Sequence, residues 1–438
     1  MDQASFLALR TLGYPTLAQV TWIYHRPVDI DALRRFHDNL GYGLLGRRIE
    51  RSPLPFARDR WVVSRGPADV DIAAAPRPPA DLNAWAYERA CLPIDPELGP
   101  SWHLGVLPLQ NNGTAVSLVA SHTVIDGLGL CQVIADAAKG TRRDLGYPLP
   151  GSRTRARALL EDGRQTLASV PELARGLVTL VRLAQRRRQD LASSITAAPP
   201  APRIAGGDQV VAVPALAAYI DQAHWDARAK SLGGTSNSLV AGFAARLGVR
   251  MGRQLDDGSV TLAFPVGERL EDDTRGNALT FASIAVDPTH AAWDLGEIRA
   301  KLKQALAELA DNANEMLATL PLTSMTPKWV ARRLVGVGLG AADLPIGCSN
   351  LGELDPAANR PDGTDADHAY GRLIEPGITK GTLERIGGQL FVASGRAPGQ
   401  IFITVVGYRA GRSNSHDELR ELVSRTFAEF DLTARIDG

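Results

Sequence analysis

The chain of 438 residues carries 48 basic and 48 acidic side chains, so its net charge is zero and no overall field favours a nucleic-acid partner. Hydrophobic residues make up 45% and charged residues 22%, the composition of a folded globular protein that is long enough for two domains. The three dispersed cysteines are too few for a disulfide framework or a zinc site, and no segment approaches the roughly 20 apolar residues that span a bilayer.

The first half alternates strand and helix patterns. A β-branched and aromatic run over 18–24, bounded by prolines, predicts a strand. Asp29 is expected to cap a helix that ends at Gly41. The segments 103–109 and 114–120 predict a hairpin, because the Asn-Asn-Gly sequence between them has hairpin-turn chemistry.

The most informative segment follows the second strand of this hairpin. The apolar run stops at a polar elbow that holds His122, Asp126 and Gly127, and an apolar-periodic segment over 128–138 then predicts a helix. A strand that ends at a histidine places the imidazole where clefts in α/β proteins usually lie. The spacing allows His122 to act in a cleft as a base while Asp126 fixes the loop.

A helical pattern over 154–190, interrupted at Pro171, ends the first half, and an alanine- and proline-rich run follows it. This run favours a division into an N-terminal domain over 1–190, a crossover linker over 191–207 and a C-terminal domain over 208–438. Arginines on the last helix of the first half favour a solvated face, with peripheral contact to anionic lipid as the alternative.

The second half mixes strands and helices without strict strand–helix alternation. The predicted elements are a strand over 209–213, helices over 224–232 and 237–251, strands over 260–264 and 281–286, a helix over 295–318, a strand over 344–350, an acidic loop over 356–368, strands over 389–393 and 400–408, and a helix over 417–430. This mixture predicts an α+β fold with mixed sheets.

The segment His122-Thr-Val-Ile-Asp126-Gly127 resembles the motif of the HHxxxDG acyltransferases. That family includes chloramphenicol acetyltransferase, the condensation domains of peptide synthetases, polyketide-associated acyltransferases and bacterial wax ester synthase/diacylglycerol acyltransferases. The likeness is closest to the last two branches and spans nearly the whole chain. Further segments resemble family motifs in the same order: Pro100-Ser101-Trp102, Thr235-Ser-Asn237-Ser-Leu-Val-Ala241, Pro265-Val266 with Gly276-Asn277, and Ser349-Asn350-Leu-Gly352.

The resemblance implies two chloramphenicol-acetyltransferase-like sandwich domains with an interdomain channel, and it places the histidine at the middle of the channel. It assigns the base to His122 and an ion pair with an arginine to Asp126, for which Arg269 is our candidate. The alternative for Asp126 is a direct pair with the imidazole. Gly127 is expected to allow a close approach or a backbone conformation that a Cβ would prevent.

The resemblance also implies that Ser349 and Asn350 stabilise the oxyanion of an acyl-transfer reaction, where one such donor is worth about 10²–10³ in rate. The alternative is that this Ser-Asn pair only forms a turn. The resemblance implies substrate-binding positions at Trp102, Asn237 and Asn277. A serine hydrolase is disfavoured, because the glycine spacing around the serine is one residue too long for a nucleophile elbow.

Three family positions differ in this chain. Serines replace the first histidine at 121, the leucine at 101 and the aspartate at 238. Since the family's base is the second histidine, the first change leaves His122 in place. The other two changes leave the identity of the substrate open.

The sequence therefore predicts a cytoplasmic acyltransferase with neither a metal nor a permanently bound cofactor. The expected donor is an acyl thioester, either acyl-CoA or an acyl carrier protein, and the expected acceptor is an alcohol or amine, foremost a lipid or polyketide hydroxyl. Two rivals stay open: amide formation on carrier-bound substrates, and a non-catalytic binding protein with the same fold.

Overall fold

The computed structural model describes residues 2–193, 207, 209–270, 272–317, 320–327, 329 and 344–437. The α-helices are α1 (Asp2–Leu12), α2 (Ile30–Leu40), α3 (Leu82–Ala90), α4 (Gly127–Ala138), α5 (Arg155–Ala168), α6 (Val170–Ser193), α7 (Gln222–Ser231), α8 (Ser236–Arg250), α9 (Gly296–Leu317), α10 (Lys380–Arg385) and α11 (His416–Glu429). The strands are β1 (Leu17–Tyr24), β2 (Arg47–Glu50), β3 (Arg60–Val63), β4 (Asp71–Ile72), β5 (Trp102–Pro108), β6 (Thr114–Ser121), β7 (Ala215–Asp221), β8 (Val260–Gly267), β9 (Leu279–Val286), β10 (Ile346–Glu353), β11 (His368–Ile374), β12 (Gln389–Ala397), β13 (Gln400–Tyr408) and β14 (Arg435–Asp437).

The first sheet has the strand order β11-β1-β6-β5-β4 and contains the predicted hairpin. Strands β5 and β6 pair antiparallel, and the turn between them closes with a 2.9 Å hydrogen bond from the Leu109 amide to the Gly113 carbonyl. Asn112 adopts the left-handed conformation (φ 64°) that asparagine tolerates in such turns. Helix α2 is capped by Asp29 as predicted, since its carboxylate accepts a 3.0 Å bond from the Ala32 amide.

The second sheet has the order β14-β7-β13-β12-β10-β8-β9. Strand β10 is parallel to both of its neighbours, whereas the other pairs are antiparallel, so the sheet is mixed as the sequence predicts. One face packs on α8, which is buried along most of its length, to form the larger hydrophobic core. The opposite face is turned toward the first sheet and forms one wall of the cavity described below.

Strand β11 connects the two halves of the chain. It comes from the second half but pairs antiparallel with β1 at the edge of the first sheet, with Arg372 opposite Gln19. The Thr404 hydroxyl of β13 donates a 2.8 Å hydrogen bond to the Gly371 carbonyl of β11, so this strand also contacts the second sheet. The predicted division into two domains stays a prediction, and 194–206 of its linker lies outside the described residues.

Prolines explain the outcome of two predictions, the strand over 209–213 and the break in the helical pattern near Pro171. The strand predicted over 209–213 is wrong: only Val210 forms an isolated bridge, and β7 begins after Pro214, which has no amide for the ladder. The helical pattern does divide into two helices near Pro171, which lies in the first turn of α6, where its missing N–H is harmless. No helix in the described part of the chain is long and apolar enough to cross a membrane.

Candidate active site

The predicted strand–elbow–helix unit is present at the end of the first sheet. Strand β6 ends at Ser121, and the amide of His122 donates a 3.0 Å hydrogen bond to the Thr16 carbonyl beside β1. Asp126 is the N-cap of α4 and accepts a 2.7 Å bond from the Gly129 amide. The elbow is therefore fixed at both ends, and His122 lies between them.

Asp126 forms the predicted ion pair, and its partner is Arg269. The guanidinium Nη2 lies 2.7 Å from Oδ2 and Nε lies 3.3 Å from Oδ1, and both side chains are almost completely buried. The Ala278 amide adds a 2.8 Å bond to Oδ2. Because both oxygens are occupied in this way, the carboxylate holds the elbow and does not hydrogen-bond to the His122 ring.

A second buried arginine, which the sequence analysis missed, also holds the elbow. Arg47 is fully buried and donates 2.8 Å to the Val124 carbonyl, inside the elbow, and 2.6 Å to the Thr274 carbonyl. Its guanidinium lies 4.0 Å from the ring centroid of Trp61 and 2.8 Å from the Tyr147 hydroxyl. Nothing in the local sequence of β2 indicates this role, because every partner is distant along the chain.

His122 is half-buried and lines a cavity between the two sheets. Burial lowers the pKa of the imidazole from its usual 6.5, although Asp126, the backbone carbonyl of His122 and the Asn277 side chain oppose this shift. The buried Asn277 donates a 3.1 Å hydrogen bond from Nδ2 to the His122 carbonyl. The shift favours the neutral imidazole, which is the form that accepts a proton, and the backbone that carries the ring is held at its amide and its carbonyl.

The cavity has a volume of about 490 Å³ and a mostly apolar wall. The first sheet, α1 and the first turns of α4 form one side. Alternate residues of β8, β9, β10 and β12 form the other side, as expected for one face of a pleated sheet. These residues are Ala263, Pro265, Gly267, Leu279, Phe281, Gly347, Ser349, Phe391 and Ala393.

Ser349 and Asn350 both line the cavity, but their polar groups differ in availability. The Asn350 amide donates to the Asn237 Oδ1, and its own Oδ1 accepts a 2.9 Å bond from the Gly352 amide. The Ser349 hydroxyl has no hydrogen-bond partner among the residues that the structure describes. The pair does not end its strand as expected, since β10 continues to Glu353 after an irregularity in register.

The remaining predicted positions lie at different depths. Asn277 lines the cavity, as described above. Asn237 lies in the exposed first turn of α8, where it contacts the site through Asn350. The structure does not bring Trp102 to the cavity: its ring is fully buried in the first core, and its indole N–H donates 3.1 Å to the Leu45 carbonyl. Gly127 provides close approach, because a Cβ there would lie 3.0 Å from the Leu351 side chain.

Helix α1, which the sequence analysis did not identify, completes the site. Ala4, Ser5 and Ala8 line the cavity. The Asp2 carboxylate accepts hydrogen bonds of 3.0 to 3.1 Å from the amides of the Gly276-Asn277 turn that supports His122. These small residues match no motif or pattern that is typical of a binding site, so the sequence did not indicate that α1 lines the cavity.

No metal centre is apparent in the described ranges, where no group of three or more His, Cys, Asp or Glu side chains could hold an ion. The cavity thiol, Cys131, is also a poor nucleophile, because burial and the nearby Asp126 raise its pKa to about 12. The chemistry of the cavity therefore centres on His122, with the Ser349 hydroxyl as a donor on the opposite wall.

Comparison with known proteins identifies the fold. No protein-family profile and no curated sequence matches the chain. Among solved structures, the first condensation domain of the calcium-dependent antibiotic synthetase is similar over 98% of this chain and 94% of its own, with a TM-score of 0.60 and 13% identity. Polyketide synthase associated protein 5 from Mycobacterium tuberculosis is similar over 97% and 96%, with a TM-score of 0.55 and 15% identity.

The wax ester synthase/diacylglycerol acyltransferase from Marinobacter aquaeolei VT8 is similar over 98% of this chain and 97% of its own, with a TM-score of 0.52 and 16% identity. These three proteins represent the branches to which the sequence motifs point. At this level of identity the likeness establishes the architecture only. The chain therefore has the condensation-domain-like fold that these three structures share.

Proposed function

We propose that this protein transfers an acyl group from a thioester to the hydroxyl or amine of an acceptor. The observation that carries the proposal is the half-buried imidazole of His122 at the wall of a mostly apolar cavity between two sheets. The fold supports acyl transfer or condensation as the general class of reaction. The buried pair of Asp126 and Arg269 supports a preset orientation of the elbow that carries the base.

The reaction proceeds by direct attack. A ring nitrogen of His122 takes the proton of the acceptor as its oxygen or nitrogen bonds to the thioester carbonyl carbon. The carbonyl oxygen becomes an oxyanion, toward which the Ser349 hydroxyl donates. The C–S bond then breaks, the imidazole returns the proton to the departing thiolate, and a free thiol is released. No acyl-enzyme forms.

The apolar wall of the cavity favours a lipid or polyketide hydroxyl as the acceptor, and hence an ester product. Acyl-CoA or an acyl carrier protein supplies the acyl group. We place the reaction in the cytoplasm, where the free thiols of the three cysteines would stay reduced. Peripheral contact with anionic lipid is proposed for α6, which exposes Leu177 and Val181 together with Arg175 and Arg182.

Thiol release from a panel of acyl-CoAs, measured with and without alcohols, tests the proposal. Wild type should release thiol only when acceptor is present, and His122→Ala should lose about 10²–10⁴-fold in rate. His224→Ala is the matched control, because this histidine is exposed on α7, outside the cavity. Equal rates in wild type and His122→Ala would favour a binding protein. Turnover restricted to carrier-bound donors and amine acceptors would favour amide condensation.

A further inference from the structure

The floor of the cavity has small side chains in the middle and aromatic rings at two ends. On β10 and β8, Gly347 pairs with Ala263. On the next strand, Phe391 of β12 pairs with Gly347, and its ring lies against the glycine backbone, because a Cβ on Gly347 would lie 2.4 Å from the Phe391 Cδ2. Phe281 lies on β9, the edge strand at the other end.

These two ends differ in access. Strand β12 is flanked by contacts to β11 on both sides of Phe391. Thr404, which pairs with Ala393, donates its 2.8 Å hydrogen bond to the Gly371 carbonyl, and Gln389 donates 3.2 Å to Glu375, the residue after β11. The side of β12 is therefore closed by the first sheet. Phe281, in contrast, is 49% exposed. The part of the cavity that runs along this floor, from Phe281 to Phe391, forms a groove. The groove is open at β9 and closed at β12, where Phe391 forms its end wall.

The length of the groove follows from strand geometry. His122 is held by Asn277, next to the row in which Gly267 pairs with Leu279. The row that contains Phe391, Gly347 and Ala263 lies four residues from Gly267 along β8, which is about 13 Å. Phe391 lies two strands away from β8, which is about 10 Å across the sheet. The diagonal distance from Gly267 to Phe391 is therefore roughly 16 Å. At about 1.2 Å per bond for an extended chain, this distance accommodates about thirteen carbons.

We propose that the closed end of the cavity binds the far end of an unbranched hydrocarbon chain, and that Phe391, seated against Gly347, sets the maximum length of that chain. This inference rests on the proposed function and adds a substrate class to it. The cavity wall is mostly apolar, so a chain gains affinity from each buried methylene until it meets the ring. The chain can come from the acyl donor or from the alcohol.

The test measures kcat/KM for saturated acyl-CoAs of increasing length with one short alcohol, and for alcohols of increasing length with acetyl-CoA. One of the two series should fall off beyond about thirteen carbons, and that series identifies the source of the chain. Phe391→Ala should move the limit outward by about four carbons and raise kcat/KM for chains beyond the wild-type limit at least about tenfold. Gly347→Ala should move the limit inward, because its Cβ displaces the ring.

Phe281→Ala is the matched control: the same change on the same face, at the open end, should leave the limit where it is. Phe391→Leu replaces the alanine variant if that protein does not fold, as judged by its thermal melting. Calorimetry of saturated fatty acids binding to His122→Ala repeats the series without turnover. Unchanged limits in the folded Phe391 variants would overturn the inference and leave acyl transfer intact. A wild type without transferase activity, whose binding limit still moves with Phe391, would overturn the function and keep the groove.

Discussion

At the scale of single residues, the site depends on which polar groups are already bonded and which are available. Asp126 has both oxygens occupied by Arg269 and backbone amides, so it holds the elbow. His122 and Ser349 both line the cavity, and the Ser349 hydroxyl has no hydrogen-bond partner among the described residues. The resemblance to the family motif was enough to predict the roles of His122 and Asp126, whereas Arg269 was only a candidate partner for Asp126, because it lies 143 residues away along the chain.

Removing one member of the buried ion pair should destabilise the protein strongly. Asp126→Asn and Arg269→Met should each lower the free energy of unfolding by about 3–5 kcal/mol, since each leaves an unpaired buried group. Urea unfolding measures the change. The control is Asp365→Asn, which breaks an exposed pair with Arg360 and should cost at most about 1 kcal/mol. Equally small losses of unfolding free energy in all three variants would show that the Asp126–Arg269 ion pair does not hold the elbow.

The pH dependence of turnover should reflect the lowered pKa of His122. In the proposed reaction the neutral imidazole is the base, and burial favours this form of His122 below its usual pKa of 6.5. As the pH falls, kcat/KM should therefore stay constant through 6.5 and decline only below it. A steady-state pH profile measures this limb. An acid limb with its midpoint at or above 6.5 would show that the imidazole is not shielded in this way.

The two candidate oxyanion donors should differ in effect. Ser349→Ala should lower kcat by about 10²–10³, because the free hydroxyl is the donor that faces the cavity. Asn350→Ala should lower it less, since the Asn350 amide is already bonded to Asn237. Steady-state kinetics of the two variants gives the comparison. The reverse order would move the oxyanion site to the asparagine.

At the scale of elements, local patterns predicted most helices and strands, but two that shape the site were missed. Strand β11 is short and follows an acidic loop, and its partner β1 lies more than 340 residues away along the chain. Helix α1 has only two buried residues and no N-cap signal in its sequence. Both elements are positioned by contacts with residues that are distant along the chain, and the hydrophobic periodicity of the local sequence does not indicate such contacts.

Helix α1 should be anchored to the site through Asp2. Asp2→Ala removes the acceptor for the amides of Gly276 and Asn277, so these amides should exchange with solvent faster. Hydrogen exchange followed by mass spectrometry measures the protection of this turn. The control is Asp31→Ala in the exposed first turn of α2, which should leave it unchanged. Unchanged protection in Asp2→Ala would mean that α1 does not hold the turn.

At the scale of the whole molecule, the cavity exists because two sheets face each other and share β11 as a connection. The sequence indicated mixed sheets and two sandwich-like halves, and the comparison with solved structures confirms that fold. The order of short motifs carried this prediction, and some of the motifs contact each other: Asn277 donates to the His122 carbonyl, and Asn350 donates to Asn237. Trp102 shows that a residue matched to a family motif need not lie at the site, since its ring packs in the hydrophobic core and does not line the cavity.

The central claim is that His122 drives direct transfer of an acyl group from a thioester to an acceptor. Mass spectrometry of a single turnover, with enzyme in excess over acyl-CoA and an alcohol present, tests it most directly. Wild type and His224→Ala should convert the acyl group to the ester with no acylated protein at any time, and His122→Ala should leave the thioester intact. Ester formed at the wild-type rate by His122→Ala, or an acylated protein that precedes the ester, would contradict the claim.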